Sequence, residues 1–152
     1  MKRVAPPLSV SRWFNAREPL TLEALRGKVV LLHAFQMRCR GCVEHATPQA
    51  QRVCDFFSPL DVAVVGLHTV FENHDAQSPD ALASYIAEKR LTFPVAVDTP
   101  DGEGIPLTMR AYALDGTPSL VLIDREGAIR MKRFGHVPDL EVGASIATLI
   151  AG

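Results

Sequence analysis

A run of apolar residues that leads into two closely spaced cysteines constrains this chain more than any other feature. Residues 29–35 read Val-Val-Leu-Leu-His-Ala-Phe, and the CxxC pair Cys39-Arg40-Gly41-Cys42 follows after three more residues. A short run that is apolar almost throughout predicts a strand buried on both faces. Residues 43–57 predict a helix. The sequence therefore places the cysteine pair where a buried strand meets the start of a helix.

This position favours redox chemistry. A thiol at a helix start faces unpaired backbone N–H groups and the positive end of the helix dipole, and both favour the thiolate over the thiol. A spacing of two residues brings the second sulfur within reach, so the pair can cycle between dithiol and disulfide. The pair predicts a redox protein.

Chain length, net charge and cysteine count narrow the possible classes of protein further. A chain of 152 residues fits one domain that can bury a core without disulfides, and we assign residues 1–8 to a loosely held N-terminal arm and residues 9–152 to a single domain. A formal net charge of −1 gives no electrostatic reason to expect nucleic acid or an anionic membrane as a partner. Three cysteines are too few for a secreted disulfide framework.

The N-terminal residues do not resemble a secretion signal. Lys2 and Arg3 are basic, but no apolar segment follows them. No run approaches the roughly 20 apolar residues that a membrane-spanning helix needs. We expect a cytoplasmic protein, or a periplasmic one if a leader has been removed.

Strands and helices alternate along the rest of the chain. Strands are predicted at 10–14, 62–68 and 93–97, a β-hairpin at 119–134 with its turn at 124–127, and helices at 78–90, 107–114 and 139–150. Pro48 is expected to kink the helix that follows the cysteines. Parallel units followed by a hairpin predict an α/β fold with a mixed central sheet flanked by helices.

Three segments carry a family resemblance. They are the Leu-Arg-Gly-Lys-Val-Val-Leu-Leu approach at 25–32, Gly-Thr-Pro at 116–118 with the strand after it, and Arg-Glu-Gly at 125–127. With the CxxC pair they resemble the thioredoxin superfamily, and within it the TlpA/ResA-type thiol:disulfide oxidoreductases. The resemblance implies a thioredoxin-like fold, dithiol exchange with protein thiols and disulfides, and no organic cofactor.

The resemblance also implies roles for site residues. Cys39 would be the attacking thiol and Cys42 the resolving thiol beneath it. Thr117 and Pro118 would be joined by a cis peptide bond that faces the cysteines. Since proline has no N–H, the residue before it is left to pair with an extended substrate strand.

The chain departs from the family pattern around the cysteines. Arg38 stands where the family usually has tryptophan, Gly41 where proline is common, and Pro48 one residue later than usual. Arg38 and Arg40 flank the first thiol, and their positive charge is predicted to favour the Cys39 thiolate and to select acidic partner surfaces.

Two histidines are candidates for proton transfer. His33 occupies a position where thioredoxin-like proteins often carry a buried acid, and an imidazole could accept the Cys42 proton there. The alternative is a hydrogen-bonded core histidine. His45 lies one helical turn after Cys42, where the family commonly has glutamate, so the two side chains are predicted neighbours. Its alternative is a half-exposed surface histidine.

Other functions stay open from the sequence alone. Cys39, Cys42 and His45 have a CxxCxxH spacing that could hold copper or zinc in a metallochaperone, with His68 as a fourth ligand. Cys54 is too far along a helix, about 18 Å from Cys42, to share a metal, and is expected to be a buried apolar residue. A peroxidase is less expected, since residues 34–37 lack the peroxiredoxin signature, and a redox-inactive binding module is the last alternative.

Overall fold

The computed structural model describes residues 3–152, and the seven strands found there form one mixed sheet. The strands are β1 (Arg3–Val4), β2 (Val10–Phe14), β3 (Val29–Phe35), β4 (Val62–His68), β5 (Val95–Asp98), β6 (Ser119–Ile123) and β7 (Ala128–Phe134). Their order across the sheet is β1-β7-β6-β3-β4-β5-β2. The helices are α1 (Thr47–Phe56), α2 (Pro79–Lys89), α3 (Leu107–Ala111) and α4 (Asp139–Ala151). None of the helices in residues 3–152 has the length and apolarity needed to cross a membrane.

The strand β3 is buried on both faces, as its apolar sequence predicts. Side chains alternate across a strand, so the odd and even residues of β3 enter different halves of the core. Leu31 and Phe35 pack in the half that includes Leu82 of α2 and Ile146 of α4. Leu32 packs in the half that includes residues of α3 and the N-terminal segment. Both halves exclude water from the centre of the sheet, so β3 is a rigid support for the loop that carries the cysteines.

The mixed character of the sheet is confirmed. β3 runs parallel to β4, and β4 runs parallel to β5, with α1 and α2 as the crossover helices. β6 and β7 form the expected antiparallel hairpin, and β6 pairs antiparallel with β3. The Asp124 carboxylate closes the hairpin turn by accepting hydrogen bonds from the backbone N–H groups of Glu126 and Ala128, at 3.0 and 2.9 Å.

The pairing of β3 with β6 brings two distant segments together. Ala34 pairs with Ser119, so the end of β3 lies beside the beginning of β6. Residues just after β3 therefore meet residues just before β6. The CxxC pair and the Thr117-Pro118 segment are the chemistry-bearing parts of these two loops.

The prediction of a loosely held N-terminal arm is wrong for residues 3–8. Arg3 pairs with Ile129 and Val4 with Ala128, so β1 extends the hairpin by one short strand. Ala5 is buried, and the Tyr112 hydroxyl donates a hydrogen bond of 2.7 Å to the Pro6 carbonyl. The arm thus covers backbone groups at the beginning of β7 that would otherwise lie at an open edge of the sheet. Residues 1 and 2 lie outside the described part of the chain.

The helix after the cysteines also differs from the expectation. A π-helical turn, Cys42–Ala46, precedes α1, and the Thr47 N–H bonds to the Cys42 carbonyl. Pro48 then falls in the first turn of α1, a position where proline is tolerated. The irregularity is therefore a widened turn before the proline rather than a kink within a regular α-helix.

Candidate active site

The loop between β3 and the cysteines is held by three consecutive backbone hydrogen bonds. The N–H of Met37 donates to His68 Nε2 at 3.3 Å, and the N–H of Arg38 donates to Gln77 Oε1 at 3.1 Å. The N–H of Cys39 donates to the carbonyl of Gln36 at 3.2 Å. These bonds fix the direction in which the chain presents its first cysteine.

The two cysteines differ in exposure. Cys42 is fully buried, whereas Cys39 is half-buried at the helix start. Both are free thiols, and the Cys42 N–H donates to Cys39 Sγ at 3.3 Å. A backbone N–H aimed at sulfur stabilises a thiolate there. The geometry thus offers Cys39 to solvent and holds Cys42 behind it.

The surroundings of Cys42 oppose its ionisation. Burial raises the pKa of the Cys42 thiol, and the hydrogen bond with Cys39 raises that pKa further. Hydrogen bonds from the Gln36 backbone and the Thr117 side chain act in the opposite direction and lower it. Because burial is the largest effect, Cys42 is a protonated thiol at neutral pH in the dithiol state.

The peptide bond between Thr117 and Pro118 is cis and faces the cysteine pair. The Cys39 thiol donates to the Thr117 carbonyl, with Sγ and O 3.5 Å apart. Gly41 lies against the proline ring, since a Cβ at residue 41 would be 3.4 Å from Pro118 Cδ. The two segments that carry the resemblance are therefore in direct contact.

The two arginines beside Cys39 are in different situations. Arg40 donates from Nε to Glu44 Oε1 at 2.8 Å, and this bond raises the pKa of its fully exposed guanidinium. Its charge is thus shared with a carboxylate rather than directed at Cys39 alone. Arg38 is exposed and is tied to the site through its backbone bond to Gln77.

His33 is a buried, hydrogen-bonded histidine. Its Nε2 lies 2.8 Å from Thr47 Oγ1, and its ring stacks on Phe35 with centroids 4.9 Å apart. Burial lowers the pKa of His33 to about 3, so the ring is neutral at physiological pH. A base this weak is poorly matched to a thiol proton, and acceptance of the Cys42 proton stays a prediction that this environment does not favour.

The remaining histidines do not form a metal site with the cysteines. His45 is exposed, with its ring 4.9 Å from that of His136 and its Nε2 3.9 Å from a Glu44 carboxylate oxygen. His68 is buried, and its Nε2 is occupied by the Met37 N–H. Across residues 3–152 no three His, Cys, Asp or Glu side chains are grouped so as to hold a metal ion. The arrangement does not favour the metallochaperone alternative.

Two buried glutamines at the site are not among the site residues predicted from the sequence. Gln36 follows β3 directly, and Gln77 lies in the loop before α2, yet their side chains are hydrogen-bonded to each other. Polar residues in loops are ordinarily exposed, so the sequence does not predict that Gln77 is buried. A glutamine in place of an apolar residue directly after a buried strand is the one signal that the sequence offers.

The fold and the paired cysteines define a thioredoxin-like oxidoreductase. The chain belongs to the AhpC/TSA family, whose model matches residues 1–132. It is 50% identical to a thioredoxin-like superfamily protein of known crystal structure, with a TM-score of 0.96 over 99% of this chain and 97% of that one. It is 47% identical to a thiol-disulfide isomerase from Corynebacterium glutamicum, with a TM-score of 0.93 over 97% of each chain.

Among curated proteins, the chain resembles Protein DipZ of Mycobacterium bovis and Mycobacterium tuberculosis. The identity is 30% over 135 residues, which is 87% of this chain. The match spans only 18% of each DipZ protein. The similarity therefore concerns one portion of those longer proteins.

Proposed function

We propose that this protein exchanges a dithiol for a disulfide with a protein partner through Cys39 and Cys42. The observation that carries the proposal is the half-buried Cys39 sulfur, placed 3.5 Å from the Thr117 carbonyl and backed by the buried Cys42. One sulfur is accessible, and the other belongs to a cysteine three positions further along the chain. The similarity to a thiol-disulfide isomerase supports the same chemistry.

The exchange has two steps, each of which forms one disulfide bond and breaks another. The Cys39 thiolate attacks one sulfur of the partner's disulfide, which breaks that bond and releases one partner thiolate. The Cys42 thiol then loses its proton, and its sulfur attacks Cys39 Sγ. The mixed disulfide breaks, the second partner sulfur leaves with the electron pair and is protonated, and Cys39 and Cys42 are left as a disulfide. Two electrons have passed to the partner, and the reverse sequence oxidises a partner dithiol.

Thr117 and Pro118 support the first step by positioning the partner. The Thr117 carbonyl, which holds the Cys39 thiol in the dithiol state, borders the reacting sulfur. An extended partner segment can pair with the Thr117 backbone as an added strand, which aligns its disulfide with Cys39. The absence of an N–H on Pro118 leaves that side of the loop open to the partner.

The charges at the site favour partners that carry acidic residues near their disulfide. Arg40 is paired with Glu44, so the two contribute little net charge. The exposed Arg38, directly before Cys39, is left to attract an acidic partner and to stabilise negative charge on the sulfur. His45 contacts Glu44 and His136, and so lies beside the Arg40–Glu44 ion pair.

The proposal is tested with a peptide disulfide and the purified protein in its dithiol form. We expect loss of the peptide disulfide and formation of one Cys39–Cys42 disulfide per molecule, measured by mass spectrometry. Cys39→Ser removes the reaction, and Cys54→Ala leaves it unchanged. Peptide reduction that survives Cys39→Ser would overturn the proposal. Faster reaction with hydrogen peroxide than with every peptide disulfide would point to a peroxidase instead.

A further inference from the structure

The hydrogen bond that holds Thr117 against Cys39 depends on the proton of the reacting thiol. The Cys39 thiol donates to the Thr117 carbonyl, with Sγ and O 3.5 Å apart. A thiolate has no proton to donate, and neither has a sulfur joined to a partner. The contact is therefore lost as soon as Cys39 ionises, before the partner has been aligned. Another contact must keep the Thr117 backbone in place during the exchange.

Gln36 makes a contact with the same threonine that involves no reacting atom. Its Nε2 donates to Thr117 Oγ1 at 3.2 Å. Neither sulfur takes part in this bond, so neither step of the exchange removes its donor or its acceptor. The Gln36 side chain is only 1% exposed, so water does not compete for the bond.

The direction of the Gln36 amide is set by its neighbours. Its Oε1 accepts the backbone N–H of Phe71 at 3.3 Å, and a backbone N–H can only donate. The same oxygen accepts from Gln77 Nε2 at 3.2 Å. Two donors at the oxygen end leave the nitrogen end of the amide to face Thr117.

Gln77 ties this network to the residue before the first cysteine. Its Oε1 accepts the backbone N–H of Arg38 at 3.1 Å, and its Nε2 also donates to the Glu72 carbonyl at 2.8 Å. Two side-chain amides in series thus connect the backbone beside Cys39 to the side chain of Thr117. The two halves of the site are held together by groups that do not react.

We propose that Gln36 is a positioning residue that keeps the Thr117 backbone aligned with Cys39 after the thiol has lost its proton, and that the site thereby favours disulfides within extended polypeptides over small disulfides. The inference rests on the proposed dithiol exchange. A partner segment that pairs with the Thr117 backbone binds better when that backbone is already held in place, since less conformational freedom is lost on binding. A small disulfide has no backbone to pair and gains nothing from the alignment.

The experiment compares two disulfides that are reduced by the dithiol form of the protein in the Cys54→Ala background. One consists of two short peptides joined by a single disulfide bond, and the other is hydroxyethyl disulfide, which has no amide groups. Acid quenching and mass spectrometry give the second-order rate constant for each disulfide at one pH. The readout is the ratio of the two rate constants, because a change in the reactivity of Cys39 itself affects both substrates alike.

We expect Gln36→Met to lower the rate constant for the peptide disulfide by about tenfold, the scale of one lost hydrogen bond. The rate constant for hydroxyethyl disulfide should stay within about twofold, which corresponds to much less than one hydrogen bond. Thr117→Val removes the hydroxyl and keeps the side-chain shape and the backbone carbonyl, so it should lower the ratio to a similar extent. Thr117→Ser, which restores a hydroxyl, should recover most of the ratio.

Gln51→Met is the matched control for the glutamine substitution. The Gln51 side chain also makes three hydrogen bonds, but it makes them from α1 to Asp55 and Thr92 rather than to the site. This variant should leave both rate constants unchanged. A fall in the ratio as large as that of Gln36→Met would contradict the inference.

The double variant shows whether Gln36 acts through Thr117. If it does, Gln36→Met has little further effect on the ratio in the Thr117→Val background. An equal loss of rate with both disulfides, or a full additional loss of the ratio in the double variant, contradicts the inference. An unchanged ratio in Thr117→Val also contradicts it, and this variant decides the matter even if Gln36→Met does not fold. An unaltered protein that reduces neither disulfide contradicts the proposed dithiol exchange itself, so the two failures are distinct.

Discussion

The Cys39 sulfur lies 3.5 Å from the carbonyl oxygen of Thr117, a residue 78 positions further along the chain. The contact results from the pairing of β3 with β6, which sets Ala34 opposite Ser119 and so aligns the two loops that adjoin these strands. The reactive thiol and the segment that would receive a partner are thus positioned by the most buried part of the sheet. Their geometry depends on the packing of the core as much as on the loops.

Alkylation should distinguish the two cysteines by their reactivity. In the dithiol state, iodoacetamide at neutral pH should label Cys39 and leave Cys42 unlabelled, because Cys42 is fully buried and burial raises its pKa. Peptide mass spectrometry after a brief pulse measures both positions. Unfolding in denaturant is the control and should make Cys42 reactive. Equal labelling of the two thiols in the native protein would contradict the assignment of Cys39 as the attacking sulfur.

A matched pair of glycine substitutions tests the packing that supports the site. Gly66 lies in β4, and a Cβ there would come within 2.9 Å of a Phe93 ring carbon and 3.3 Å of a Phe35 ring carbon. Gly66→Ala should therefore lower the free energy of unfolding by about 1–3 kcal/mol through overpacking. Gly143 lies within α4, where an added Cβ has no neighbour within 4 Å. Gly143→Ala should raise the free energy of unfolding by about 0.5–1 kcal/mol.

Urea unfolding of both glycine variants measures these free energies directly. Opposite signs are expected, with little change in the urea dependence of either variant. If Gly66→Ala proves as stable as the original protein, the packing of the two rings against β4 is looser than described.

Two buried histidines should make stability depend on pH. Burial lowers the pKa of His33 to about 3 and that of His68 to about 4, from an ordinary value of 6.5. Between pH 6.5 and about 4 the unfolded chain binds protons that the folded chain does not, so the free energy of unfolding falls as the pH falls. The slope is at most about 1.4 kcal/mol per pH unit for each histidine.

Urea unfolding at a series of pH values measures this slope. His68→Gln retains an acceptor for the Met37 N–H and removes the titrating ring, so it should reduce the slope between pH 6.5 and about 4. An unaltered slope in His68→Gln would mean that the ring titrates normally in the folded protein.

The charge of Arg38 should govern the choice of partner. Arg38→Ala is expected to slow reduction of an acidic peptide disulfide by about threefold at low salt, and to have little effect at high salt, where screening weakens the attraction. The control is Arg40→Gln with Glu44→Gln, which removes an ion pair without changing the net charge. That double variant should keep the preference for the acidic peptide. A loss of preference in the control but not in Arg38→Ala would reassign the effect to the pair.

Much of the fold can be predicted from local sequence patterns. The run at 29–35 is apolar enough to require burial on both faces, and Asp124 to Gly127 have the chemistry of a tight hairpin turn, so β3, β6 and β7 could be predicted. The N-terminal arm could not, because its pairing with β7 depends on an edge that only the folded hairpin creates. The π turn at Cys42–Ala46 has a wider hydrogen-bonded turn than an α-helix, which apolar periodicity does not reveal.

The site could be predicted in its sulfur chemistry but not in its supporting residues. Cys39, Cys42 and Pro118 occupy positions that a spacing rule can find. The amides of Gln36 and Gln77 meet across 41 residues through tertiary packing alone. Helical spacing also does not reveal that the His45 ring lies against that of His136, a residue 91 positions further along the chain. The cytoplasmic location and the domain boundary at residue 9 stay predictions.

The central claim is that Cys39 forms the mixed disulfide and Cys42 resolves it, and trapping with Cys42→Ser tests it most directly. The variant is exposed to a protein extract, alkylated and separated without reductant, in the Cys54→Ala background. We predict that disulfide-linked complexes accumulate with Cys42→Ser and that peptide mapping finds Cys39 at each junction. Complexes that accumulate with Cys39→Ser instead, with Cys42 at the junction, would contradict the account.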